Sequence, residues 1–483
     1  MTNIQTIFFR FSILVAVSMV LQTTLAGEIQ TTLDQQTAIA VTIYNNNLAL
    51  VKDTRTVKLN SGFNELAYKD VSAKIRPETA LLRSLSHGQG FSLIEQNFDF
   101  DLLTPQKLLE KYVGKSVTVI KRHPTTGEES SETATILAAN NGVVLRIGNR
   151  IETGIPGRIA FGEVPENLRD RPTLVMQLNS GTEATQTVEL SYLTGGLSWK
   201  ADYVAELNSD DNQLDLTGWV TLTNQSGTRY SNAKLQLIAG DVNRVMSDQS
   251  AILEKRAFSS ALRKEESNKM VEEGLFEYHL YTLGRKTTIA DNQSKQVSLL
   301  SAESVPLRKE LLLQGSDYYY WSNYGNLGQR LKVGVYIKFK NDQTSNLGKP
   351  LPKGVVRVYK KDKAGNAQFI GEDQIDHTPK NEEVTLKLGD AFDITAKKRQ
   401  TNFKKIKGDR PYNYVYTTSF EIVLKNAKDS VQTVTVREPI PGDWEILKSS
   451  DKYKKVAAHT VDWDISIPAQ GQKKLSYRVK IRH

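Results

Sequence analysis

Apolar and polar residues alternate with a period of two over most of this chain. The pattern is clear in "TRTVKLNSGFNELAY" (Thr54–Tyr68), "WKADYVAEL" (Trp199–Leu207) and "KKLSYRVKI" (Lys473–Ile481). That period suits a strand with one face against a core, whereas a helix needs an apolar stripe every three or four residues. The expected fold class is therefore mainly β, as tandem antiparallel β-sandwich domains of immunoglobulin-like type. A small β-barrel-like block and one peripheral helical insertion complete it.

Residues 1–26 read as an export signal. Arg10 is the one charge, "FSILVAVSMVL" (Phe11–Leu21) is apolar, and Thr24-Leu25-Ala26 supplies the small-residue end. The apolar run is shorter than the roughly 20 residues that cross a bilayer. The mature chain is expected to start near Gly27, to be periplasmic or secreted, and not to span a membrane. There is no cysteine, which excludes disulfides, thiol catalysis and thiolate metal sites.

Residues 27–110 are expected to form an N-terminal β domain whose Thr54–Tyr68 stretch is a hairpin turning at Asn60-Ser61-Gly62. Residues 111–172 hold five short strands, with Asn141-Gly142 where a two-residue turn would want them. These suggest the barrel-like block. Residues 173–330 form a central sheet domain, and from about Ser247 to Gly274 Leu253, Ala257 and Ala261 recur at helical spacing. That stripe is thin, so the helix is expected to lie at the periphery. Residues 331–483 carry seven alternating runs, the count of an immunoglobulin-like sandwich, with Trp444 and Trp463 as core anchors.

No segment specifies a reaction. "TGGLSWK" sets Ser198 after two glycines, yet Lys200 stands where a nucleophile elbow needs its last glycine, and a strand follows Trp199. Gly195 and Gly196 read as a tight turn. The six histidines are dispersed and lack metal-ligand spacing. Asp210, Asp211 and Asp215 lack the glycine and closing glutamate of a calcium loop. No catalytic residue, metal or other cofactor is expected.

Two surface features remain. "SDYYYWSNYGN" brings together Tyr318, Tyr319, Tyr320, Trp321 and Tyr324, an aromatic surface suited to stacking on sugar or peptide. "KKRQTNFKKIKGDR" carries Lys397, Lys398, Arg399, Lys404, Lys405, Lys407 and Arg410 against Asp409 alone. It is expected to be an exposed basic connection between two strands. Basic character is concentrated around it, since Leu331–His483 holds 30 basic and 18 acidic residues in a chain whose formal charge is +9. For an exported protein the anionic partner would be an envelope polymer or a lipid headgroup, not nucleic acid. Another envelope protein is the further partner considered.

At "SYLTGGLSWKADYVAELN", "LDLTGWVTLTNQSGTRYSNAKLQLIAGDVNRV", "FEYHLYTLGRKTTIADNQSKQVSLLS" and "TVREPIPGDWEIL" the chain resembles a bacterial family of exported proteins known as a domain of unknown function. The mucoidy inhibitor A proteins are its named relatives. The resemblance runs from about Thr173 to the C-terminus and implies no catalytic residues. It departs from those relatives where Val113–Phe161 stands in place of their charged coiled coil. The resulting expectation is a non-enzymatic envelope protein acting as a binding or structural module. The alternative is an envelope hydrolase acting on polysaccharide or peptide.

Overall fold

Strands dominate the computed structural model, which describes residues 27–45, 47–86, 90–155, 157–165, 168–240, 270–408 and 410–483. The chain divides into two compact units whose segments alternate in sequence. One comprises residues up to Thr37, Thr54–Val71 and Leu82–Glu189, and the other Ala38–Asp53, Ser72–Leu81 and Leu190–His483.

The first unit contains a four-stranded sheet in the order Ile29–Thr31, Gly62–Lys69, Thr173–Ser180, Phe91–Asp99. Beside it Arg55 is buried, donating to Thr31 O and Lys69 O at 2.9 Å, with its guanidinium 3.9 Å over the Tyr68 ring. A buried guanidinium is tolerated when its donors are met. The five short strands of the expected block are present, ordered Arg150–Thr153, Val144–Ile147, Glu129–Ala138, Ser116–Arg122, Arg158–Ala160. This sheet is open and not closed into a barrel, because its outer strands pair on one side only. Asn141-Gly142 lies within the longer connection joining Glu129–Ala138 to Val144–Ile147.

Two sequence expectations change here. Thr54–Tyr68 is not a hairpin, since Leu48–Leu59 and Gly62–Lys69 belong to different sheets. The corner is held by Asn64, whose amide donates to Asn60 O and Gly62 O at 2.9 Å and accepts from Asn60 N at 2.8 Å. Alternation reports a half-buried strand but not its partner. The helical insertion also does not reach Gly274. Met270–Leu275 is a strand paired with Tyr278–Leu283, where the ladder supplies the hydrogen bonds a last helical turn would need. Residues 247–269 of that insertion, and the expected signal at 1–26, lie outside the described residues.

The second unit repeats one four-strand module three times. The first module uses Gln213–Asn224, Tyr230–Ala239, Thr287–Ile289 and Gln293–Gln314. The second uses Asn326–Lys340, Gly354–Lys361, Ala367–Ile375 and Glu383–Lys407, and the third Tyr414–Asn426, Gln432–Pro439, Thr460–Ile467 and Gly471–Arg482. In each, the first strand pairs antiparallel with the fourth, and the second with the third. First and fourth strands of successive modules then pair side by side into one continuous sheet. The second strand of every module runs parallel to an earlier strand, on Ala40–Tyr44, Ala201–Leu207 and Leu311–Gln314 in turn.

One asparagine recurs at each module's first corner, where the chain leaves the continuous sheet. Asn224 donates to Thr228 O and Ala290 O at 2.9 and 3.0 Å and accepts from Ser226 N at 3.0 Å. Asn341 does the same with Lys349 O, Pro379 O and Gly348 N at 2.8, 3.0 and 3.1 Å. Asn426 does so with Ser430 O, Pro468 O and Lys428 N at 2.9, 3.0 and 3.0 Å. Two residues beyond each distant carbonyl, Asn292, Asn381 and Gln470 take left-handed backbone, with φ of 51°, 72° and 49°. The signature is visible afterwards in "LTNQSGT", "KFKNDQTS" and "VLKNAKDS".

All three asparagines are buried, so removing one side chain strands several backbone groups in the core. Asn224→Ala, Asn341→Ala and Asn426→Ala should each lower stability by about 2 to 4 kcal/mol, given about 1 to 3 for each unsatisfied buried group. Urea unfolding followed by tryptophan fluorescence reads this. Asn208→Ala, at an exposed turn, should cost far less.

Candidate functional site

The basic segment is strand for most of its length. Lys397–Lys407 forms the second half of Glu383–Lys407 and, apart from one bulge, pairs with residues 414–423 of the strand Tyr414–Asn426, so the connection is confined to residues 408–413. This corrects the expectation of a loop, because period two continues through the charges. Ile394, Ala396, Lys398 and Gln400 face the core, while Lys397 and Arg399 face out, Arg399 pairing with Glu421 at 3.0 Å. After a bulge between Gln400 and Asn402, Phe403, Lys405 and Lys407 stand opposite Thr418, Tyr416 and Tyr414, sharing a face with them. Lys404, Lys405, Lys407 and Arg410 are exposed.

Lys398 does not belong to the anionic-partner surface. Its side chain is 1% exposed, as is that of Glu438, and its ammonium lies 2.7 Å from both Glu438 oxygens. The rings of Tyr319 and Phe420 lie 4.2 and 4.7 Å from that ammonium. The Tyr320 hydroxyl donates to Glu438 Oε2 at 2.9 Å, and the Tyr477 hydroxyl lies 2.9 Å from that of Tyr320. Burial pushes the Lys398 pKa down, against the pull of Glu438. The charges pair because each sits at an inward position, Lys398 after Ile394 and Ala396, and Glu438 after Val434 and Val436. Sequence reasoning missed Glu438, although that parity marked it.

The aromatic segment packs on this pair, bringing the two expected surfaces to one place. Tyr318, Tyr319 and Tyr320 lie in a single 3-10 turn, Asp317–Tyr320. Such a turn aligns positions three apart. Tyr318 and Trp321 accordingly face out at 48% and 47% exposure, and Tyr324, beyond the turn, is 42% exposed, whereas Tyr319 and Tyr320 are buried in the core and leave the aromatic surface. Gln400 fastens the segment, donating to Ser322 O at 3.0 Å and accepting from Tyr324 N at 2.8 Å.

A continuous ledge of rings results. Trp321 stacks on His483 at 5.0 Å, His483 meets Tyr416 edge-on at 5.5 Å, and Tyr416 lies 5.7 Å from Phe403. Lys405 carries its ammonium 4.0 Å over Tyr414 and 5.4 Å from Tyr416. Burial holds His483 below its ordinary pKa, so near neutral pH the ring stacks uncharged. Tyr416 and His483 were not singled out in the sequence, because their proximity to Trp321 depends on tertiary pairing.

The other sequence features lie on strands, in turns or in the core. Ser198 lies on the strand Leu197–Leu207 opposite Thr223, and Gly196 makes the preceding turn at φ +82°, where a Cβ would meet Gln225 O at 2.7 Å. Asp211 binds Lys309 at 2.8 Å and also Lys360. Trp463 is fully buried and Trp444 packs against the same core. Among the described residues no group of three or more acidic or histidine side chains is placed to hold a metal. No helix among them is long and apolar enough to cross a membrane.

Residues 188–483 match the family described as a domain of unknown function, DUF4139, and the chain belongs to that family. No curated protein matches it.

Burial raises the pKa of Tyr320 and Tyr477 well above the ordinary tyrosine value, reinforced by the Glu438 charge, and pushes Tyr319 up to about 12. A folded-state pKa above the unfolded one, about 10, gives stabilisation that is complete below that pH and lost as pH rises toward the folded value. Absorbance titration at high pH should therefore show tyrosines that stay silent until the fold opens, while in denaturant all ionise together. Stability measured by urea should fall as pH rises above about 10.

Proposed function

We propose that this DUF4139 protein is an exported, non-enzymatic binding module of the bacterial envelope, and that the ledge from Trp321 to Lys405 seats an acidic polysaccharide. The observation that carries this reading is the ring series Trp321, His483, Tyr416 and Phe403 running into Lys405, with Trp321 and Tyr414 each 47% exposed. Ring faces suit the apolar faces of sugars, and Lys405, Lys407 and Arg410 suit their acid groups. The signal-like residues 1–26 support export, and the resemblance to mucoidy inhibitor A proteins supports an envelope role. A hydrolase would need two carboxylates flanking a cleft. The carboxylate beneath the tyrosines is Glu438, enclosed and paired with Lys398, which favours binding over hydrolysis.

The test is affinity electrophoresis of the mature protein in a uronic-acid polysaccharide, beside co-sedimentation with anionic vesicles. Retardation by the polysaccharide should weaken strongly between about 50 and 300 mM salt. Replacing both Trp321 and Tyr414 by Ala should reduce binding about tenfold or more, since two lost ring contacts exceed about 1.4 kcal/mol. Lys397→Gln, on the opposite face, should change it little. Equal binding by the double variant, or binding to vesicles alone, would overturn the assignment.

A further inference from the structure

We propose that Lys398 and Glu438 condense to an intramolecular amide, a covalent cross-link between the second and third modules of the second unit. Their reacting groups are already in contact, with the amine 2.7 Å from each carboxylate oxygen. Both side chains are 1% exposed, so the site is closed to bulk solvent. Holding the partners in this way replaces an encounter in water by an intramolecular step, worth effective concentrations of about 10⁵ M or more when aligned. Burial also sets the direction. An enclosed ion pair carries the desolvation cost of two charges, whereas the amide is neutral and its by-product leaves for bulk water.

The step balances without a co-reactant. One Nζ proton passes to Glu438 Oε1, leaving a neutral amine and a carboxylic acid. The Nζ lone pair then attacks Cδ, the Nζ–Cδ bond forms, and the Cδ–Oε1 bond breaks. Oε1 departs with that proton and a second Nζ proton as water, and the amide keeps the third. Tyr320 donates to Oε2, the oxygen that becomes the amide carbonyl, and is placed to stabilise the negative charge developing there. Tyr477 backs the Tyr320 hydroxyl at 2.9 Å. Gly315 seats the carboxylate, since a Cβ there would stand 2.3 Å from Oε2. Desolvation favours the neutral amine that the attack requires.

Mass spectrometry of the denatured full chain, with its N-terminus determined independently, decides the matter. The expected mass is lower than that of the sequence by one water, and proteolysis should release one branched peptide containing both Lys398 and Glu438. Lys398→Arg should have its full sequence mass whether or not it folds. A wild-type chain of full mass, with Lys398 and Glu438 in separate unmodified peptides, would overturn the proposal. So would a Lys398→Arg chain that also lacks one water, because the dehydration would then lie elsewhere.

Discussion

Every strand that leaves a sheet for the facing layer abandons its ladder, and the backbone groups at that corner must find other partners or remain buried and unpaired. The second unit meets this constraint three times with one side chain. Asn224, Asn341 and Asn426 each span a local carbonyl, a carbonyl brought back from later in the module, and a backbone amide. An amide side chain offers two donors and an acceptor in one plane, which suits this task where a hydroxyl or carboxylate does not. Each asparagine also fixes where the fourth strand starts, because the distant carbonyl lies just before it. The pairing of first with fourth strand, and hence the continuous sheet, depends on that closure.

The contact between the second and third modules is of another kind. Lys398 is on the fourth strand of one and Glu438 on the second strand of the next, and they meet inside a core otherwise made of Val434, Val436, Phe420, Trp463 and Tyr477. Burying either alone would be strongly unfavourable. Because the pair satisfies both groups only in this registry, it selects one alignment of the modules. Tyr320 and Gly315 complete the enclosure, so the tyrosine-rich segment has an internal role as well as an outward face.

Strand length produces that outward face. Glu383–Lys407 and Tyr414–Asn426 run on past the core, and beyond the bulge at Gln400 the residues on the core-facing side lose their covering layer. Phe403, Lys405 and Tyr414 are thus arranged as core residues would be, yet stand partly open beside the buried Tyr416, with His483 laid against Tyr416 and Trp321 on His483. A ring set fixed by strand pairing needs little reordering on binding, which lowers the entropic cost of association.

The class of structure and the parity of its strands follow from local sequence alone. Period-two alternation marked nearly every strand from Gly62–Lys69 to Gly471–Arg482, and "TGGLSW" was legible as a turn because its glycines and the strand after it obey local steric rules. The same parity runs through Lys398 and Glu438, but a charged residue at an inward position reads as exposed until its partner is known, so Lys398 was expected at the surface and Glu438 was missed. What alternation cannot encode is the partner across the ladder. It left open that Leu48–Leu59 and Gly62–Lys69 enter different sheets, that Met270–Leu275 is a strand, and that three asparagines close three equivalent corners. The site shows the same division. The rings and cations were visible as composition, but which rings face out was set by a 3-10 turn packed on Lys398 and pinned by Gln400. Those contacts join residues dozens of positions apart and arise with the tertiary fold, because their energy exists once distant strands have paired and water has been excluded from between them.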